Sequence, residues 1–150
     1  MKSIFNLNDT KEIIERISQL TPDTKGLWGK MSVAQMLAHC NVTYEMAYEK
    51  IHPAPNSFVK FMLKLFVKKS VVNETPYKKS IQTAPAFIIK ENKDFYTEKE
   101  RLINYIIKTQ ELGTNYFEGR ESLSFGSLNS KEWNNMFYKH LDHHLQQFGV

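Results

Sequence analysis

Three of the chain's five histidines, His140, His143 and His144, fall within its last eleven residues. Imidazole is the side chain best suited to bind a divalent ion or to exchange a proton near neutral pH. At about 100° per residue, with Trp133 set at zero, Phe137 falls at about 40°, His140 at about 340°, His144 at about 20° and Phe148 at about 60°. His140 and His144 therefore sit in the middle of an apolar stripe. His143, at about 280°, lies on its edge beside Met136, and Gln147, at about 320°, follows His140 on the inner side. Two imidazoles spaced i, i+4 can converge on one divalent ion, and a third ligand is then needed. His39 is the natural candidate, as the one histidine on another long helix. Three neutral imidazoles leave coordination positions for water or substrate, as catalytic sites do. The pattern is not a zincin, because Leu141 stands where HExxH needs its glutamate. Zn, Ni, Fe or Mn would suit imidazole ligands. The plain alternative is a set of hydrogen-bonded core histidines.

The elements that must position these residues read as helices. Asp9 with Glu12 has the form of a capping box, and Ile13, Ile14, Ile17 and Leu20 follow at helical spacing until Thr21-Pro22. Ser32 with Gln35 opens a second helix expected to run to about Ile51. Val33, Leu37, Cys40, Tyr44 and Ile51 share one of its faces; Met36, His39, Thr43 and Ala47 share the next, so both are expected to be buried. Residues 56–72 read as a short amphipathic helix with Lys60, Lys64 and Lys68 on one stripe. From 73 to 94 the pattern breaks around Pro76 and Pro85, a connection long enough to let two successive helices run parallel. Thr97 with Glu100 opens a third long helix ending near Leu112-Gly113. After a loop with Gly119 and Gly126, Asn129 with Glu132 opens a last helix running to about Phe148. The expectation is an all-α four-helix bundle, 1–150 as one domain, with a short accessory helix and a crossover between helices two and three.

Composition narrows the classes. The 150 residues are 41% hydrophobic and 24% charged, ordinary globular usage rather than that of a disordered or fibrous chain. A net charge of +4 without a nucleic-acid motif sets nucleic acid aside as a partner. The single cysteine, Cys40, precludes an internal disulfide, and Met1 to Thr10 carry no apolar signal core, so a cytoplasmic location is expected. Cys40 points about 100° away from His39 and reads as a small core residue. The segment from Phe58 to Lys69 is too short and charged to span a bilayer. It reads as a lid or dimer helix packed on the bundle with its lysines in solvent, in preference to a membrane contact.

HLDHHLQQFG, from His140 to Gly149, resembles the C-terminal signature of the DinB-like (YfiT-like) superfamily, in which His-x-x-His-His-x-x-Gln closes the last helix. LWGKMSVAQMLAHC, from Leu27 to Cys40, is similar to that family's second-helix motif, and FGSLNSKEW precedes the last helix. The resemblance covers nearly the whole chain and points to a branch of short bacterial proteins. It implies an up-down-down-up four-helix bundle, a metal site on His39, His140 and His144, and a homodimer. Activities in the superfamily include metal-dependent thiol transfer with low-molecular-weight thiols and a thiol-dependent isomerisation. Leu145-Gln146 replaces the Arg-Gly found before the glutamine in many members, and no separate C-terminal substrate domain is expected here.

Two functional classes follow for the histidine site. One is a metal-dependent transferase or hydrolase acting on a small molecule, with Gln147 and His143 as candidates to support the ligands. The other is a non-catalytic metal- or small-molecule-binding module in which the ion joins two helices. Discrimination lies in whether the ion keeps an exchangeable ligand.

Overall fold

In the computed structural model, which describes residues 1–49, 51–81 and 83–150, each helix of ten residues or more begins at an Asn, Ser or Asp whose side chain closes the first turn. Such caps satisfy backbone N–H groups that have no partner within the helix. Asn6 caps α1 (Leu7–Gln19) and Ser32 caps α2 (Val33–Tyr48). Asn56 caps α3 (Ser57–Phe66), which α4 (Lys68–Val72) follows. Asp94 caps α5 (Phe95–Phe117) and Asn129 caps α6 (Ser130–Gln147). A 3-10 turn spans Pro85–Phe87, and a small antiparallel hairpin pairs β1 (Glu121–Ser122) with β2 (Gly126–Ser127). The chain is thus mostly helical.

The reciprocal capping boxes of Ser32 with Gln35 and Asn129 with Glu132 form as their spacing predicts. Two others do not. α1 starts at Asn6, whose Oδ1 accepts from the Asn8 and Asp9 N–H groups, while the Asp9 carboxylate accepts from Ser3. The earlier start turns Thr10 inward, where its hydroxyl bonds the carbonyl of buried Ile4 at 2.8 Å. α5 likewise starts at Asp94, which accepts the Thr97 N–H at 2.8 Å, so Thr97 is its third helical residue rather than its cap. α2 ends at Tyr48, before Ile51; residue 50 lies outside the described residues.

The accessory segment departs further from expectation. It breaks into α3 and α4 at Val67, and the apolar side of α3 faces solvent rather than the bundle. α4 is fastened to α6 instead. Lys139 directs its ammonium at the Ser70 and Asn73 carbonyls at 2.8 and 2.7 Å, Asn135 donates to the Val72 carbonyl, and Lys68 pairs with Glu132. Lys139 and Asn135 thereby serve the free carbonyls at the end of α4, and the Lys139 charge complements its dipole.

α2 packs along α5 and α6, and α1 packs against the same two helices. Trp133, Phe137, Phe117, Tyr44, Ile106, Leu102 and Ile17 are fully buried in one shared core. Each such side chain contributes on the order of 1.5–3 kcal/mol of transfer free energy. A polar cross-link also joins α2 to α5: Arg101 bridges the buried carboxylates of Glu45 and Glu98, and His52 approaches Glu45 at 2.7 Å. At Gly113 the backbone leaves helical values (φ 68°, ψ 179°), so α5 is kinked there and resumes to Phe117. The kink delivers Phe117 onto Trp133 and Phe137 and leads into the hairpin that precedes α6.

Candidate metal centre

α2 supplies His39 and α6 supplies His140 and His144, and one ring nitrogen from each lies within 4.8 Å of the others. The helices meet because both carry buried apolar faces, and the i, i+4 spacing then stacks His140 and His144 toward His39. His39 and His144 are buried, while His140 keeps partial contact with solvent. The three ring centroids stand 4.5 to 4.8 Å apart.

Each Nδ1 is engaged by a different partner. His39 Nδ1 donates to the Phe87 carbonyl at 2.8 Å. His144 Nδ1 donates to Gln147 Oε1 at 2.7 Å, and His140 Nδ1 lies 2.9 Å from the Thr43 hydroxyl. Gln147 is itself fixed, its amide donating to the Trp28 carbonyl at 2.7 Å. A backbone carbonyl cannot donate, so neutral His39 carries its proton on Nδ1 and presents a lone pair at Nε2. His140 Nε2 lies 2.9 Å from that lone pair. Two unprotonated nitrogens at this distance repel, so either His140 donates Nε2–H to His39 or a cation lies between them. In the first case the Thr43 hydroxyl donates to His140 Nδ1. In the second it rotates and accepts. The donor set fits a divalent ion: three imidazoles, each anchored through one nitrogen with a ring nitrogen converging on a common point, are the arrangement metal-binding histidines adopt.

Electrostatics keep the rings neutral. Burial lowers the pKa of His39, against the opposing effect of its bond to Phe87. Burial, followed by the proximity of His144 and His39, holds His140 well below the ordinary imidazole value. Burial and the nearby His39 push His144 down to about 3. Neutral imidazole is the ligating form.

His143 stands outside the triad. Half-buried, it lies between the rings of Trp28 and Tyr77 at 6.0 and 5.7 Å, with Lys79 placed over the Trp28 face. Cys40 is buried among apolar neighbours with Met36 Sδ 3.8 Å from its thiol, whose pKa burial raises far above the ordinary value. Three groups around the centre carried no separate signal in the sequence: Thr43 and the Phe87 carbonyl, which touch the triad, and the Trp28 carbonyl, which holds Gln147. Thr43 was visible only as a small residue one turn beyond His39 on the same face. The Phe87 and Trp28 acceptors are main-chain atoms, which no side-chain pattern reveals. Phe87 also sets its ring against His39 and His140, at 5.3 and 5.8 Å.

A helical chain with three convergent histidines defines a candidate metal-binding protein. The chain matches the DUF1569 family, described as a protein of unknown function, over residues 2–149, and it belongs to that family. No curated protein and no solved structure matches it.

Proposed function

We propose that this chain is a DinB-like, up-down-down-up four-helix bundle whose His39, His140 and His144 hold a divalent ion, and that it acts as a metal-dependent transferase or hydrolase on a small molecule such as a low-molecular-weight thiol. The observation that carries the reading is the anchoring of each Nδ1 together with the convergence of one ring nitrogen from each histidine within 4.8 Å of the others. A bound ion supplies Lewis acidity and lowers the pKa of a coordinated thiol or water. The protein's own part is orientation. Gln147 fixes the His144 ring, Phe87 fixes His39 through its carbonyl, and Thr43 accommodates either tautomer of His140. Of the three, His140 is the least buried residue.

The test is elemental mass spectrometry on untagged protein, followed by cobalt substitution. About one ion per chain, lost in His140→Ala, is expected. Addition of a low-molecular-weight thiol to the cobalt protein should alter its visible absorption. An ion that resists both thiol and water exchange, and whose removal only lowers the melting temperature, would assign the site to a structural staple instead.

A further inference from the structure

α3 is turned the opposite way from an ordinary surface helix. Leu63 packs on the core and Lys60 leans back toward Glu121 at 3.5 Å, whereas Phe58, Phe61, Leu65 and Phe66 are 72, 60, 59 and 67% exposed. With Val59 and Met62 they form a continuous arc of about 160° on the helix surface. The clip between α4 and α6 fixes the segment that follows α3, so the outward apolar face belongs to a mounted helix and not to a frayed end. These residues present ~600 Å² of contiguous apolar surface, the upper end of the range for a soluble monomer.

Charge decides the occupant. Residues 51–73 contain four lysines and no aspartate or glutamate. Lys64 and Lys69 are exposed and form no ion pair among the described residues. A second copy docking face to face through α3 would bring like charges together, whereas an anionic surface would complement them. We propose that α3 is an interfacial helix that seats the protein on an anionic lipid membrane, with Phe58, Phe61, Leu65 and Phe66 among the acyl chains and Lys64 and Lys69 at the headgroups. Helices with a Phe- and Leu-rich face and a lysine-bearing flank bind in the interface plane. No helix among the described residues is long and apolar enough to cross the bilayer, so the contact is peripheral. The exposed face departs from the expectation of a lid or dimer helix packed on the bundle with its lysines in solvent.

Vesicle flotation of the full chain tests it, comparing phosphatidylcholine alone with the same lipid containing about 30 mol% phosphatidylserine at about 0.1 M salt. Binding to the anionic vesicles is expected, weakened by added salt. It should be abolished in Phe61→Glu/Leu65→Glu and reduced at least about tenfold in Lys64→Glu/Lys69→Glu. Both double variants change exposed positions, and circular dichroism confirms that they remain folded. Absence of binding by folded parent protein overturns the proposal. So does equal binding to phosphatidylcholine, which would leave no role for charge. A solution dimer that Phe61→Glu/Leu65→Glu dissociates would give the face to a second copy and overturn it as well.

Discussion

Gln147 holds His144 by one amide atom and the loop before α2 by the other, 2.7 Å on each side. Orientation of one ring at the centre therefore depends on the backbone around Trp28. Gln147→Leu should weaken metal binding about 10- to 100-fold, the usual cost of losing a group that orients a ligand. Gly29→Ala should act in the same direction from the far side. Gly29 has φ +85°, and a Cβ there would overlap the Gln147 amide nitrogen. Chelator-competition titration reads both effects, and wild-type affinity in both variants would show that the amide plays no part.

Among the described residues, Thr43 is the one partner of His140 Nδ1. Thr43→Val keeps the shape and removes the hydroxyl, leaving a buried ring nitrogen without a partner at a cost of about 1–3 kcal/mol. Metal affinity and thermal stability should both fall, and Thr43→Ser should restore both. A loss in Thr43→Val that serine does not rescue would assign the effect to packing.

Acid should destabilise the metal-free protein before its carboxylates titrate. In the unfolded chain the three imidazoles take up protons below about 6.5. In the fold all three pKa values are lowered, His144 to about 3. Between these limits the unfolded state binds more protons, so stability is full above about 6.5 and is lost as pH falls toward the folded values. The urea midpoint of apoprotein should drop from pH 7 to 5, with a shallower slope in His144→Leu. A flat midpoint in the parent would contradict burial of neutral rings.

The helices that carry the ligands were legible because Ser32 with Gln35, and Asn129 with Glu132, mark their starts; a 3.6-residue apolar period runs through α6, while α2 is apolar on two adjacent faces and is buried without a break from Met36 to Glu45. The starts of α1 and α5 were misplaced because Asn6 and Asp94 compete with the later Asp9 and Thr97. Both alternatives offer a side-chain cap, and tertiary burial of Ile4, Thr10 and Phe95 favours the earlier starts. The orientation of α3 was not legible at all. Its amphipathic pattern is symmetrical with respect to which side meets the bundle, and apolar residues ordinarily face inward.

Gly113 should not tolerate a side chain. Its φ of 68° with ψ of 179° is a conformation almost confined to glycine, and nothing lies within 4 Å of a Cβ built there. Gly113→Ala should cost about 1–3 kcal/mol from backbone strain alone. Thermal unfolding compared with Ala substitution at an exposed helical site measures it; an unchanged melting temperature would mean that the α5 kink relaxes without penalty.

Tyr44 offers the opposite case. Its ring stacks on Phe137 and Tyr105 at 4.8 and 5.6 Å, yet its hydroxyl is buried without a partner among the described residues. Tyr44→Phe should leave stability unchanged or raise it, because an unpaired polar atom is removed at constant shape. A fall of more than about 1 kcal/mol in denaturant unfolding would reveal a partner for that hydroxyl.

The tie between His39 and Phe87 is made to a main-chain oxygen. A carbonyl has no side-chain identity, so this bond does not constrain which amino acid occupies position 87. It constrains the backbone path instead: the 3-10 turn of Pro85–Phe87 must bring a carbonyl beneath the ring, and a change that shifts this turn would cost the ligand its bearing while every side chain at the centre stayed the same.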